Sequence, residues 1–232
     1  MSTPKIIVDR FSALSEFTAK GFLYNLSYLP DTVLGGIVLF ALLLQSAPLG
    51  ILGLSLFSLE FVHAGLTSGL AETLPGLKEA TSDVARCSGH FPGISYERAT
   101  ATLLGEGTLQ TLSVGFPSYY MMFFGSLFGY MLAMANTYER ELEGMPQKRA
   151  SIYAGVIVMG LLTLLFAVYR LSSGCDTFFS ILIGAIAGLV YGYGFEMLIA
   201  ALSGRTLTNL MNAPLIRDRA ADGKPIYVCK KE

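Results

Sequence analysis

The residues able to do chemistry in this sequence are few and scattered. It has 2 histidines, His63 and His90, and 3 cysteines, Cys87, Cys175 and Cys229. None of the cysteines has a CxxC partner, and the set is too sparse for a zinc site or a disulfide framework. Glu60-x2-His63 has the spacing of half a di-iron carboxylate site, where a Glu and a His one helical turn apart face the same metal pair. A second Glu-x2-His is absent, so no metal is expected. Glu60, His63 and Glu196 also make an ionisable pathway through a membrane conceivable. Against that, all three fall near the ends of apolar blocks, where a charge reaches headgroups or water. Neither reading calls for a cofactor. The 16 basic and 17 acidic residues are mixed, and no Lys/Arg-rich run interleaves with aromatics, which argues against nucleic acid as a partner.

The chain that must position these groups is 53% apolar and 14% charged, against roughly 25% charged in an ordinary soluble domain. Its apolar residues lie in long uncharged blocks, which predicts membrane spans. The expected fold is an all-α polytopic transmembrane bundle of about four to six spans, with an N-terminal interfacial helix and a long loop capping one face. Residues 1–24 form the N-terminal segment. Thr3-Pro4 reads there as a helix start, and Ile7, Phe11, Leu14 and Phe17 share a face. No cleavable signal or Met-Gly myristoylation pattern is visible, and Asn25-Leu26-Ser27 is a single glycosylation sequon. Residues 25–204 make the bundle, and residues 205–232 are a polar tail broken by Pro214, Gly223 and Pro225.

From Thr32 to Leu59 there is no charge, but Pro48 interrupts the run. One long span kinked near Pro48 competes with a hairpin of two short spans. A single crossing puts Lys5, Arg10 and Lys20 on the side of Arg140, Lys148, Arg149, Arg205 and the basic tail, with Lys78, Arg86, Arg98 and Arg170 opposite. That positive-inside bias favours the kinked crossing, or three crossings if Phe22 to Tyr28 also spans. It also places the 137–150 loop and the tail on a cytoplasm- or matrix-like side.

A long connection follows over residues 67–116, then three better-defined spans: Pro117 to about Asn136, Ser151 to Tyr169, and Thr177 to about Leu202. Gly125-x3-Gly129 and Gly184-x3-Gly188-x3-Gly192 each clear one helix stripe so that another helix backbone can approach, with a neighbour in the same chain preferred. Trp is absent, so the interfacial belt is expected from Tyr24, Tyr28, Tyr119, Tyr120, Tyr138, Tyr153 and Tyr169.

Phe116-Pro117-Ser118 opens one span, Arg170 stands in the short loop between the next two, and Lys78 and Arg86 lie in the loop before them. This order of motifs against spans resembles the type 2 phosphatidic acid phosphatase family, over about Leu77 to Leu202. In that family a span starts Pro-Ser-Gly-His, and the next ends Ser-Arg, followed after five residues by a His and three further on by an Asp. An earlier loop on the same face carries Lys-x6-Arg-Pro. Pro117 and Ser118 match, but Tyr119 and Tyr120 replace Gly and the proton-donating His. Arg170 matches the phosphate-binding Arg, Asp176 stands in the place of the nucleophilic His, and Ser180 in that of the orienting Asp. Lys78 and Arg86 are one residue too far apart, and Cys87 replaces Pro.

The resemblance therefore implies a lipid-phosphate site of Lys78, Arg86, Ser118 and Arg170 without its catalytic histidines. Hydrolysis by that route needs a His nucleophile, a carboxylate to orient it and a second His to protonate the leaving oxygen. At the nucleophile's position, Asp176 would repel the anion that the arginines hold. Ser88-Gly89-His90 spells part of the missing motif, but no span follows it; His90 is the weak catalytic candidate. The same motif order puts Cys87 and Cys175 on one face, where a disulfide is conceivable. The implied function is a catalytically inactive relative serving as a structural subunit, with membrane lipids and other protein subunits as partners. An active phosphatase with a non-standard site and an ion or proton pathway are the alternatives.

Overall fold

The structure, a computed structural model, describes residues 28–73, 116–142, 145–203 and 205–210, together with Leu26 and Cys87. Among the described residues there is no strand. The helices are α1 (Leu29–Leu43), α2 (Ala47–Thr73), α3 (Tyr119–Thr137), α4 (Glu139–Leu142), α5 (Pro146–Ser172) and α6 (Phe178–Ser203). Three segments, Ala47–Thr67 of α2 and the whole of α5 and α6, are long and apolar enough to cross a membrane. The chain is thus an all-α, multi-pass membrane protein.

The single kinked crossing over residues 32–59 is corrected. Helix α1 ends at Leu43, Gln45 takes a left-handed backbone with φ of 49°, and the chain turns back into α2. Two local features make the reversal cheap. The Ser46 hydroxyl accepts from the Leu49 amide at 3.5 Å, capping α2 at its start. Pro48 then falls in the first turn of the new helix, where its missing N–H is no loss. A methyl group at Gly53 would sit 3.5 Å from Ile37 and Val38, so α1 folds back along α2 as a helical hairpin. The charge bias that favoured one crossing relied on Lys5, Arg10 and Lys20, which lie outside the described residues. Helix α2 also continues to Thr73, into what the sequence suggested was loop.

Helix α3 is the centre. Fourteen of its 19 residues are buried, and its Met- and Tyr-rich sequence is not among the segments apolar enough to span on composition alone. It is enclosed by protein, whereas α5 and α6 leave most of their apolar surface exposed. Its closest neighbour is α6, which runs parallel to it. Added methyl groups at Gly184, Gly188 and Gly192 would collide with the carbonyls of Ser118, Met122 and Ser126; those at Gly125 and Gly129 would collide with Ala185 and Leu189. All five glycines therefore serve one contact within this chain, bringing the two backbones together. The Tyr191 hydroxyl of α6 donates to the Ser55 carbonyl of α2 at 2.9 Å and meets the Ser58 hydroxyl at 2.6 Å, which holds α2 onto α6. Helix α5 returns antiparallel on the outside: 11% of its span is buried, and Ile157, Leu161, Leu164 and Val168 face outward.

Two further expectations are revised. Tyr28, Tyr119, Tyr120 and Tyr138 are buried in the bundle, not arrayed as an interfacial belt, because α3 lies inside and its ends are covered. Glu60, His63 and Glu196 do not reach water at span ends either; they are 7%, 1% and 0% exposed. Glu196 is fully buried and accepts from the Thr137 hydroxyl at 3.0 Å.

Candidate functional site

Arg170 occupies the last turn of α5, and Asp176 lies two residues before the start of α6. Gly174, with φ of 69°, lets the chain reverse in the short turn between them, and the Cys175 amide donates to the Arg170 carbonyl at 3.1 Å. The turn folds the two charges together: Arg170 Nε donates to Asp176 Oδ2 at 2.5 Å. Their side chains are 5% and 8% exposed, so the pair is desolvated.

Three other segments converge on it. Ser118 caps α3, accepting from the Met121 amide at 3.4 Å, and its hydroxyl donates to Asp176 Oδ2 at 2.8 Å. The Ser118 amide donates to the Ser180 carbonyl at 3.2 Å, so Ser180 contributes backbone here. From the long connection, Cys87 offers its carbonyl to Arg170 Nη1 at 2.9 Å and is joined to Cys175 by a disulfide, with the Cα atoms 5.2 Å apart. The guanidinium lies 5.0 Å from the centre of the Tyr120 ring, a cation–π arrangement. Tyr120 packs on Phe124 and Phe166 and points its hydroxyl away, donating to the Leu26 carbonyl at 2.8 Å. On α2, His63 Nε2 donates to the Pro117 carbonyl at 2.8 Å, which ties α2 to the same corner.

Of the sequence-predicted residues, Ser118 and Arg170 are brought together, through Asp176. Lys78, Arg86 and His90 lie outside the described residues. Asp176 is the counter-ion of Arg170, and the Ser118 hydroxyl donates to the same carboxylate oxygen. The roles of Asp176, Tyr120 and His63 were not foreseen. An Arg and an Asp flanking a glycine turn between two apolar spans was the available signal, since such charges find each other before they find lipid. Chemically, the cluster is a buried, charge-balanced pair in which Arg170 Nε is engaged by Asp176 and Nη1 by the Cys87 carbonyl. It joins α2, α3, α5, α6 and the long connection.

The opposite end is built differently. Arg205 Nη1 donates to Glu141 Oε1 at 2.6 Å, with Glu141 buried and Arg205 half exposed. Tyr138 donates to the Arg205 carbonyl and exchanges a hydrogen bond with Thr208 at 3.0 Å. Arg149 and Glu139 pair at the surface at 3.5 Å.

No protein-family model, curated protein or solved structure matches this chain.

Proposed function

We propose that the chain is a non-catalytic membrane subunit, built on an arrangement like that of the lipid phosphatases, whose former phosphate corner has become a structural clamp. The supporting observation is the Arg170–Asp176 pair: a buried arginine that would grip phosphate is already bound by a carboxylate and a carbonyl. Tyr120, at the position of the resemblance's proton donor, supports that arginine with its ring and turns its hydroxyl elsewhere. A phosphate entering this corner would have to displace Asp176 from both Arg170 and Ser118.

The long outward face of α5, with α1 residues such as Leu39, Leu42 and Leu43 exposed, fits a chain whose surface is met by lipid and by other subunits. Orientation follows from two supports. A Cys87–Cys175 disulfide suits an oxidising compartment, while Arg140, Lys148, Arg149 and Arg205 gather at the other end, as expected of a cytoplasm- or matrix-like side.

The test is hydrolysis of phosphatidate and of a prenyl diphosphate by the purified chain and by Arg170→Ala. No turnover above a protein-free control is expected, and turnover that disappears with Arg170 would overturn the reading. Extraction in a mild detergent followed by native electrophoresis addresses the subunit role. The chain is expected in a particle much larger than its own 25.0 kDa, and migration as a lone bundle would count against it.

A further inference from the structure

At the end opposite the clamp, an open cavity of about 610 Å³ is lined by residues from the C-terminal ends of the parallel helices α3 and α6. Its polar wall carries Asn136, Thr137 and Arg140; its other wall carries Tyr193, Met197 and Ala201 of α6. Asn136 donates to the Tyr193 hydroxyl at 3.3 Å across the gap. Met197 and Ala201 are exposed on a segment long and apolar enough to span, so this wall continues into the bilayer.

The charges around the cavity are unequal in their freedom. Glu139 is held by Arg149, and Glu141 by Arg205. Arg140 is exposed, lines the cavity and makes no ion pair among the described residues. The carbonyls at the end of α3 do not present a bare negative terminus, because the chain continues: the Tyr138 amide donates to the Met134 carbonyl at 3.1 Å, and the Leu142 amide to the Tyr138 carbonyl at 3.1 Å. What lines the opening is the Arg140 guanidinium, with the Asn136 amide and Tyr193 hydroxyl beside it and Glu139 and Arg205, each already paired, at its rim, next to an apolar wall. A phosphate oxygen suits the first group, and an acyl chain suits the second.

We infer that this cavity is a binding site for an anionic phospholipid, with the headgroup phosphate on Arg140 and the upper acyl chain along Met197 and Ala201. Free phosphate shares the headgroup's chemistry, but the apolar wall would add nothing to its binding. The inference is independent of the proposal above, since it involves no residue of the clamp and holds whether or not the chain is an enzyme.

The test is native mass spectrometry of the full chain from mixed micelles holding equal phosphatidylglycerol and phosphatidylcholine. Parent protein is expected to retain phosphatidylglycerol in preference, by about fivefold or more, the scale of one basic side chain at an anionic surface. Arg140→Ala is expected to abolish the preference and Arg140→Lys to keep part of it. Ala201→Phe, which fills the apolar wall without changing charge, should lower retention of the anionic lipid. Lys148→Ala, a cation at the same end but outside the cavity, should leave retention unchanged. Equal losses in Arg140→Ala and Lys148→Ala would reduce the effect to diffuse charge and overturn the site. Displacement of the lipid by soluble glycerol phosphate, with Ala201→Phe silent, would overturn its assignment to lipid.

Discussion

Each end of the bundle has an arginine paired with a carboxylate, and the two pairs sit in different solvents. Arg170 and Asp176 have side chains 5% and 8% exposed, between elements locked by a disulfide. Arg205 is 47% exposed and Glu141 2%, beside an open cavity. The same functional groups at nearly the same separation therefore carry different energies. In the first pair, neither member can return to water without opening the fold; in the second, the cation is half solvated already. One end is closed around its ion pair, and the other borders an open cavity.

The largest effect expected from breaking this contrast is at Asp176. Asp176→Ala leaves the Arg170 guanidinium buried without its carboxylate, a loss of about 3–5 kcal/mol. It would be measured by unfolding in mixed micelles. A sharper form replaces both partners: Arg170→Met with Asp176→Leu should recover most of the loss, because two apolar side chains need no compensation. If the double variant is as unstable as the single one, the corner is doing more than neutralising itself.

Removing the disulfide comes next. Cys87→Ser is expected to lower stability by about 2–4 kcal/mol, since Cys87 and Cys175 close a long stretch of chain. Reductant should produce the same loss in the parent and none further in the variant. Glycine substitutions on α6 follow, and these probe what the ends share. Gly184→Ala near the clamp and Gly192→Ala toward the cavity each push a methyl group at a backbone carbonyl of α3, for an overpacking cost of about 1–3 kcal/mol. Similar losses at both positions would show one continuous contact; a loss confined to Gly184 would mean that α3 and α6 part toward the open end.

The legibility of these features in the sequence follows the same division. Helices α5 and α6 expose long apolar surfaces, so hydropathy reports them directly. Glycine spacing reports the α3–α6 contact, because close backbone approach leaves few other residues possible. The α1–α2 reversal was harder, since Pro48 reads as a kink until Ser46 is seen to cap a new helix. The buried tyrosines were misplaced because a tyrosine at a span end looks the same in sequence whether it meets a headgroup or a carbonyl. At the Arg170 corner, counting against a motif singled out Ser118, Arg170 and Asp176 but not the pairing of the last two, which depends on the turn that folds Asp176 onto Arg170.

The smallest expected effect is at the open end, and its salt dependence is the informative part. Arg205→Ala breaks the pair with Glu141, yet the departing side chain lies beside a wide cavity and lets water reach the carboxylate it leaves behind. A loss of about 1 kcal/mol or less is therefore expected. Raising the ionic strength should shrink it further, because the half-exposed guanidinium interacts through screened solvent. Asp176→Ala, measured in the same salt series, should hold its full penalty, since mobile ions do not enter the closed corner. Equal salt dependence for the two variants would mean that both pairs are solvated alike, and the distinction between clamp and open end would fail.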